Sequence, residues 1–600
     1  MREKFGRFTQ QLSYLPAALR IVWQSAPLWT TFWAILLLSQ GILPVATVYL
    51  TRSVVNSLSD ALNNEGEALS KALLYISLLA LTMLASELFK GLQRWVQTAQ
   101  SEQVIDHIKG LIHEKAISLD LAYYETPAYY DMLHRARNDA ASKPLTLVQN
   151  LGSLIQNSIT LIAMAGILLP FGAWIPLALL VGTLPAIVVV LRVNLRMHAW
   201  QYKRAPMQRR VQYYDWMLTN AQAAPELRLF AFGPLFIKRF QAALAQLRTE
   251  RLSFVRQESA TELFAATLGL LTLGITLGVL TWQTVTIGGS LGDLALFYQA
   301  FSQGQRLMRT LLGSVGQIYQ TLLFLENLFA FLRLESTLLE PRMPSEKVIT
   351  LKQSIVLHNV SFRYPASDRE ALTNFSLTIP AGKIVAIVGE NGAGKSTLLK
   401  LITRLYDPTA GHITLDGQNL RDLPLAELRR LFTILFQVPV PYQQTVMENI
   451  TLGDWVQEPD PLAVQAAAVE AGADKPIQRL PKKYDELLGK SFGGSELSVG
   501  EWQRIALARA FYRKAEVIIL DEPTSAMDSW AESAWLERFK ALAAGKTAVV
   551  ITHRFTTAMC ADIIYVMVEG HIIESGTHDE LLQQNGHYAT SWRKQTTQSG

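Results

Sequence analysis

Before residue 320 the chain carries six apolar stretches in series, and none of that length follows. Crossing a hydrocarbon core of ~30 Å takes roughly 20 apolar residues in a helix. The stretches run Leu28–Leu50, Ala72–Phe89, Leu147–Leu169, Ala173–Leu191, Leu263–Trp282 and Leu294–Leu312. The last is interrupted by Gln303, Gln305, Arg306 and Arg309. One apolar run could be a buried core helix, but six in a row call for lipid. Charged residues make up 18% of the 600, against about 25% in soluble chains.

Charge in the connections sets the orientation. From Arg192 to Ala260 there are twelve Lys/Arg against four Asp/Glu. The connections expected on the other side are poor in basic residues: 51–70 holds only Arg52, and 170–172 and 283–293 hold none. Basic loops stay in the cytoplasm, so the N-terminus and the two long connections are expected there, in a multi-pass protein of the cytoplasmic (inner) membrane. The basic start MREKFGRF leads into no short apolar core with a cleavage site, and the first run reads as a retained anchor. The single cysteine, Cys560, excludes an intrachain disulfide.

The long connections are Gly-poor and keep helix-compatible apolar spacing. Each is expected to continue two membrane helices into the cytoplasm, with reversals near residues 123–134 and 221–232. About 25 helical residues reach roughly 37 Å. A Pro- and charge-bearing linker, 336–353, separates this membrane domain (1–335) from residues 354–600. There Val356–Tyr364, Ile384–Val388, Thr433–Phe436, Val517–Leu520, Ala548–Ile551 and Ile563–Val568 read as strands alternating with helices. The expected fold is an all-α six-helix transmembrane domain with long cytoplasmic extensions, followed by an α/β phosphate-loop domain.

Two motifs carry chemistry. Gly389–Thr397 reads GENGAGKST between the strand IVAIV and the helical LLKLITRL. In such a loop the backbone N–H groups of Gly389, Glu390, Asn391, Gly392, Ala393 and Gly394 close around phosphate oxygens. Lys395 reaches the β- and γ-phosphates, and the hydroxyls of Ser396 and Thr397 lie at the helix start, Ser396 placed to ligate Mg²⁺. Val517–Glu522 reads VIILDE. Its apolar residues bury a strand that ends in Asp521, which can hold the Mg²⁺ shell, and Glu522, placed to polarise an attacking water.

With these motifs in this order behind six spans, the chain resembles the half-transporters among ATP-binding cassette (ABC) exporters over nearly its full length. The resemblance implies an ATP hydrolase coupled to transport, with ATP and Mg²⁺ as cofactors. Tyr364, in FRYP, matches the aromatic that stacks on adenine. Gln437, in LFQ, matches the glutamine that touches Mg²⁺ and senses the membrane domain. Ser498, Gly500 and Glu501, in LSVGE, fall in the signature that closes over the ATP of a partner domain. Ser525–Asp528 resembles the loop joining the two sites, and His553 the switch histidine at the γ-phosphate. Lys395, Glu522 and His553 are therefore the expected catalytic residues, and Ser396, Gln437 and Asp521 the metal contacts.

The sequence departs from the family pattern in the signature, where Val499 and Glu501 replace a glycine and a glutamine. The stretches SVGEWQRIALARAF and PELRLF look most like the lantibiotic and small-peptide exporter branch. Intact Glu522 and His553 favour a pump over a nucleotide-gated membrane regulator, and fusion of both domains in one chain argues against an importer. Every motif occurs once, so a homodimer with two equivalent sites is expected, with a heterodimer alongside a second half-transporter as the alternative. Fewer than 30 residues precede the first span, so no appended leader peptidase is expected. The expected substrate is hydrophobic or amphipathic (peptide, lipid or drug), with membrane lipids but no nucleic acid as further partners. Gln299, Gln303, Arg306, Thr310 and Gln317 share one helical face in the sixth span and are expected to line the substrate path.

Overall fold

The structure is a computed structural model that describes residues 13–63, 67–126, 129, 132–133, 136, 143–172, 174–287, 290–338, 349–365, 367–523 and 529–598. The chain divides into two compact units, one of residues 1–117 and 131–334, the other of 118–130 and 335–600. Each unit folds on its own logic. The first connector, 118–130, groups with the C-terminal unit although in sequence it lies between two membrane helices.

The first unit is helical. A short helix α1 (Leu15–Ser25) leads into α2 (Pro27–Asn63) and α3 (Glu67–Ser118). Beyond the connector come α5 (Lys143–Leu168), α6 (Trp174–Thr219), α7 (Ala224–Leu229), α8 (Gly233–Ile287) and α9 (Leu291–Leu332); α4 (Leu121–Tyr124) belongs to the other unit. Helices of 52, 46 and 55 residues in α3, α6 and α8 extend about 70–80 Å at 1.5 Å per residue. That is more than twice the thickness of a bilayer core, so these helices run well beyond it. The basic, polar composition of their outer portions follows from that length.

Among the described residues, four helices hold a stretch long and apolar enough to cross a membrane: α2, α3, α5 and α8. The fourth expected span lies in α6, of which Trp174–Leu184 is the fully described apolar part, and α9 is not in that set. The sixth expected span thus forms as a helix whose composition alone does not mark it as a span. In α9 the cause is the set of polar and basic side chains between Gln299 and Thr310.

Helix α9 packs along α5, α2 and α6, and α8 packs along α6. With lipid on the outside there is no hydrophobic gain from pairing helices, so close approach of small residues does the work. A Cβ on Gly152 of α5 would lie 2.1 Å from the Trp33 ring of α2. One on Gly182 of α6 would lie 2.9 Å from Thr272 Cγ2 of α8. At one end of the unit Arg52 pairs with Asp293 at 2.7 Å, and the Gly292 amide donates to Asn56 Oδ1 at 2.9 Å. These contacts tie the start of α9 to α2.

The second unit is α/β. A four-stranded antiparallel sheet has the order β2-β1-β4-β5, from β1 (Ser354–Arg363), β2 (Glu370–Pro380), β4 (Ala410–Leu415) and β5 (Gln418–Asn419). A six-stranded sheet has the order β10-β9-β3-β8-β7-β6. Its members are β3 (Ile384–Gly389), β6 (Phe432–Leu435), β7 (Val517–Asp521), β8 (Thr547–Thr552), β9 (Ile563–Val568) and β10 (His571–Gly576). All neighbours from β9 to β6 run parallel, and β10 closes the edge antiparallel. Every residue of β7 and β8 is buried, as parallel strands covered on both faces must be. Each strand expected from sequence has its counterpart, and β2, β4, β5 and β10 are additional.

Candidate functional site

Ligands of open parallel sheets bind beyond the carboxyl ends of the strands. Strands β3, β8, β7 and β6 are neighbours, so the segments that follow them emerge along one edge. Those segments are the phosphate loop after β3, Glu522 after β7, His553 after β8 and Gln437 after β6. Residues separated by up to 164 positions in the chain are thereby collected at one place.

The loop leads into α10 (Lys395–Ile402). Gly394 sits at φ +99°, and a Cβ there would come 2.7 Å from the Ala371 carbonyl oxygen. A Cβ on Gly389 would stand 2.2 Å from the Met567 carbonyl oxygen. Glycine at both positions is therefore a steric requirement. Lys395 is buried, and its Nζ donates to the Gly389 and Glu390 carbonyls at 2.8 and 2.9 Å. Burial pulls its pKa below the ordinary value, opposed by the charges of Glu522 and Asp521. These carbonyl contacts hold the ammonium at the mouth of the loop.

Ser396 Oγ lies 3.4 Å from Asp521 Oδ2. Burial, and then the neighbouring charge of Glu522, push the Asp521 carboxyl above its ordinary range. A divalent cation would relieve that crowding, and a hydroxyl with a carboxylate oxygen is the hard-oxygen donor set Mg²⁺ prefers. The residues present fit the metal.

Glu522 stands just past β7 with φ +47°, in the left-handed region that non-glycine residues rarely occupy. Its amide donates to Ile551 O at 2.8 Å, which locks that turn to β8. One carboxylate oxygen accepts from Gln437 Nε2 at 2.7 Å, and the other lies 3.3 Å from His553 Nδ1. Backbone strain of this kind, held by a hydrogen bond, is found where a side chain must be aimed.

These groups border a cavity of about 520 Å³. Of the expected nucleotide residues, Tyr364, Asn391, Gly392, Gly394, Lys395, Ser396, Thr397, Gln437 and Glu522 line it. Ala393 is buried beneath it, and Asp521 and His553 reach it through Ser396 and Glu522. Ser367, Arg369, Glu370, Ala371 and Glu569 also line it, and sequence reasoning missed them. They carry no local signal, being the turn after β1, the start of β2 and the turn after β9.

Ser498, Gly500 and Glu501 do not line this cavity. They open α11 (Val499–Tyr512), whose start is a closed capping box. The Glu501 amide donates to Ser498 Oγ at 3.3 Å, and the Ser498 amide and hydroxyl each donate to Glu501 Oε2 at 2.9 Å. Val499 is 66% exposed, so its β-branched side chain stands on the surface of this unit. Ser525–Asp528 lies outside the described residues.

In α9, Arg306, Thr310 and Gln317 are exposed and Gln299 and Gln303 half-buried. Gln305, one residue from Arg306, is instead buried and donates to the Gly269 carbonyl of α8 at 2.9 Å.

Residues 372–525 match the family model described as ABC transporter. The chain is 28% identical over 586 residues to the nisin transport ATP-binding protein of Lactococcus lactis, covering 97% of this chain and 96% of that one. It is 30% identical over 501 residues to the ATP-dependent lipid A-core flippase of Alkalilimnicola ehrlichii, covering 82% of each. Its structure superposes on that of a bacterial Atm1-family ABC exporter with ATP bound, with a TM-score of 0.78 over 95% of this chain and 99% of that one, at 24% identity. The apolar helices and the nucleotide cavity, together with this full-length likeness, place the chain in the ABC transporter family, as a multi-pass membrane protein that binds ATP and drives export with it.

Proposed function

We propose that two copies of this chain form a homodimeric exporter of the cytoplasmic membrane, with the N-terminus and both ATPase units on the cytoplasmic side. The observation that carries the two-chain reading is the separation of the two ATP elements. The phosphate loop borders the cavity, while the signature Ser498 stands at the head of α11 away from it. One chain therefore presents two half-sites, and a second copy completes both. The apolar stretch of α3 fits the same picture, being only 6% buried within its own chain. Expressed alone and purified, the chain is expected to elute as a dimer with ATPase activity. A monomer without activity would favour a separately encoded second half.

Within each site the proposed roles follow the geometry. Backbone amides of residues 389–394 and Lys395 hold the phosphates, and Tyr364 stacks on adenine. Ser396, Asp521 and Gln437 would hold Mg²⁺, which when bound neutralises developing charge on the phosphate oxygens. Glu522 takes a proton from the attacking water, oriented by Gln437 on one oxygen and by His553 on the other.

The proposed substrate is amphipathic, of the peptide or lipid kind that the names of the nisin and lipid A relatives indicate. Stimulation of ATPase in nanodiscs by a panel of peptides, lipids and hydrophobic drugs tests this directly. The stripe Gln299, Gln303, Arg306 and Thr310 in α9, half-buried at its first two residues and exposed at the others, is proposed to face the substrate path. A charged side chain at that depth is costly against lipid and stable against water or polar groups. Arg306→Ala is expected to lower the substrate-stimulated increment in ATPase several-fold. Labelling of a cysteine at position 306 by lipid-phase reagents alone would remove the stripe from the path.

A further inference from the structure

The ring of Tyr364 is held by one neighbour that lines the same cavity and by others that do not. Its hydroxyl pairs with Thr397 Oγ1 at 3.0 Å. Its ring packs edge-on against Phe362 and Tyr406, with centroids 4.9 and 5.5 Å apart. Lys400 Nζ stands 5.0 Å from the Tyr364 centroid and 5.7 Å from that of Tyr406. Lys400 lies on α10, one turn beyond Thr397, on the same helix that presents Lys395 to the cavity. Tyr364 and Thr397 line the cavity; Lys400 and Tyr406 do not.

Glu125 fastens this arrangement. Its Oε1 accepts from Lys400 Nζ at 2.6 Å and its Oε2 from the Tyr406 hydroxyl at 2.5 Å. Burial alone would drain charge from Lys400, but the bond to Glu125, together with the charge of Glu125 and the contact with Tyr364, outweighs it and raises its pKa. Glu125 also pushes the Tyr406 hydroxyl well above its ordinary range, behind the larger effect of burial. Glu125 follows α4 on the first connector. That connector is pinned to the linker by Asp120, which accepts from the Ser336 hydroxyl, from the Thr337 amide and hydroxyl and from the Leu338 amide, and by the Tyr123 hydroxyl, which donates to Glu335 O at 2.9 Å.

We propose that Glu125 is a positioning residue for the adenine ring: by gripping Lys400 and Tyr406 together it fixes the plane of Tyr364, so that base affinity depends on where the first connector lies. This rests on the reading of Tyr364 as the adenine platform. A cation against an aromatic face favours one ring orientation. Without Glu125, Lys400 would swing to solvent and Tyr364 would sample other rotamers.

The test uses the full chain in nanodiscs, with ATP and inorganic tripolyphosphate each displacing a fluorescent ATP analogue. Tripolyphosphate has the phosphates without the base. Glu125→Gln is expected to weaken ATP about three- to tenfold, with tripolyphosphate unchanged and the kinetic effect in KM rather than kcat. Lys400→Met should do the same, Glu125→Asp less, and neither should add to Tyr364→Ala. Equal weakening of ATP and tripolyphosphate by Glu125→Gln would mean general loosening and overturn the proposal. So would an unchanged ATP affinity in Glu125→Gln when Tyr364→Ala weakens ATP. If Tyr364→Ala itself leaves ATP affinity intact, the adenine platform is misassigned and the proposal falls with it.

Discussion

Exchange of Glu522 for glutamine is expected to cut ATP turnover by about 10²–10⁴-fold, the usual loss when a proton-accepting group is removed, while ATP still binds. The carboxylate sits outside the proposed phosphate cradle of residues 389–394 and Lys395, and the exchange leaves that segment untouched. The amide cannot take a proton, although its oxygen can still accept from Gln437, as one Glu522 oxygen does at 2.7 Å. A dimer held closed around unhydrolysed ATP should accumulate, visible as retained nucleotide after desalting and as closed particles by electron microscopy. Turnover within tenfold of the original would move the proton acceptor to another residue.

Exchange of Lys395 for alanine is expected to act one step earlier, on binding. The ammonium supplies charge-assisted hydrogen bonds to phosphate, each worth roughly 1.5–3 kcal/mol, so ATP affinity should fall by about 10- to 100-fold. A second effect adds to this. Lys395 is the cation whose charge offsets Asp521 and Glu522 at the bottom of the cavity, and without it their negative charge faces the triphosphate. Equilibrium binding of ATP to the purified variant measures the loss. An affinity within threefold of the original would show that the loop backbone alone carries the phosphates. The two variants thus divide the site: one binds and does not turn over, the other scarcely binds.

The elements that could be read from the sequence are those whose chemistry is built from neighbours in the chain. A phosphate cradle is made from contiguous backbone, so Gly389–Thr397 between an apolar strand and a helix announces itself. A buried parallel strand that ends in two acids, as Val517–Glu522 does, is nearly as plain. A membrane span is written in roughly 20 consecutive residues, which is why α2, α3, α5 and α8 were legible. The strands β2, β4, β5 and β10 were not: burial alternates along β2 and β10, the first half of β4 is exposed, and β5 is only two residues long. Their pattern competes with that of ordinary loop.

What the tertiary structure decided is which distant residues meet and which face of a helix turns inward. Gln305 and Arg306 are adjacent and equally polar, yet the first is buried against Gly269 and the second exposed. Successive helix residues point about 100° apart, and only the position of α8 tells the two directions apart. Glu125 and Tyr406 are 281 positions apart and share a hydrogen bond. No local pattern marks Glu125, since an acid after a short helix is ordinary until a lysine and a tyrosine are brought to it. Sequence alone determined the chemistry that contiguous residues perform; packing determined what orients it, because orientation is a relation between segments that the chain keeps far apart.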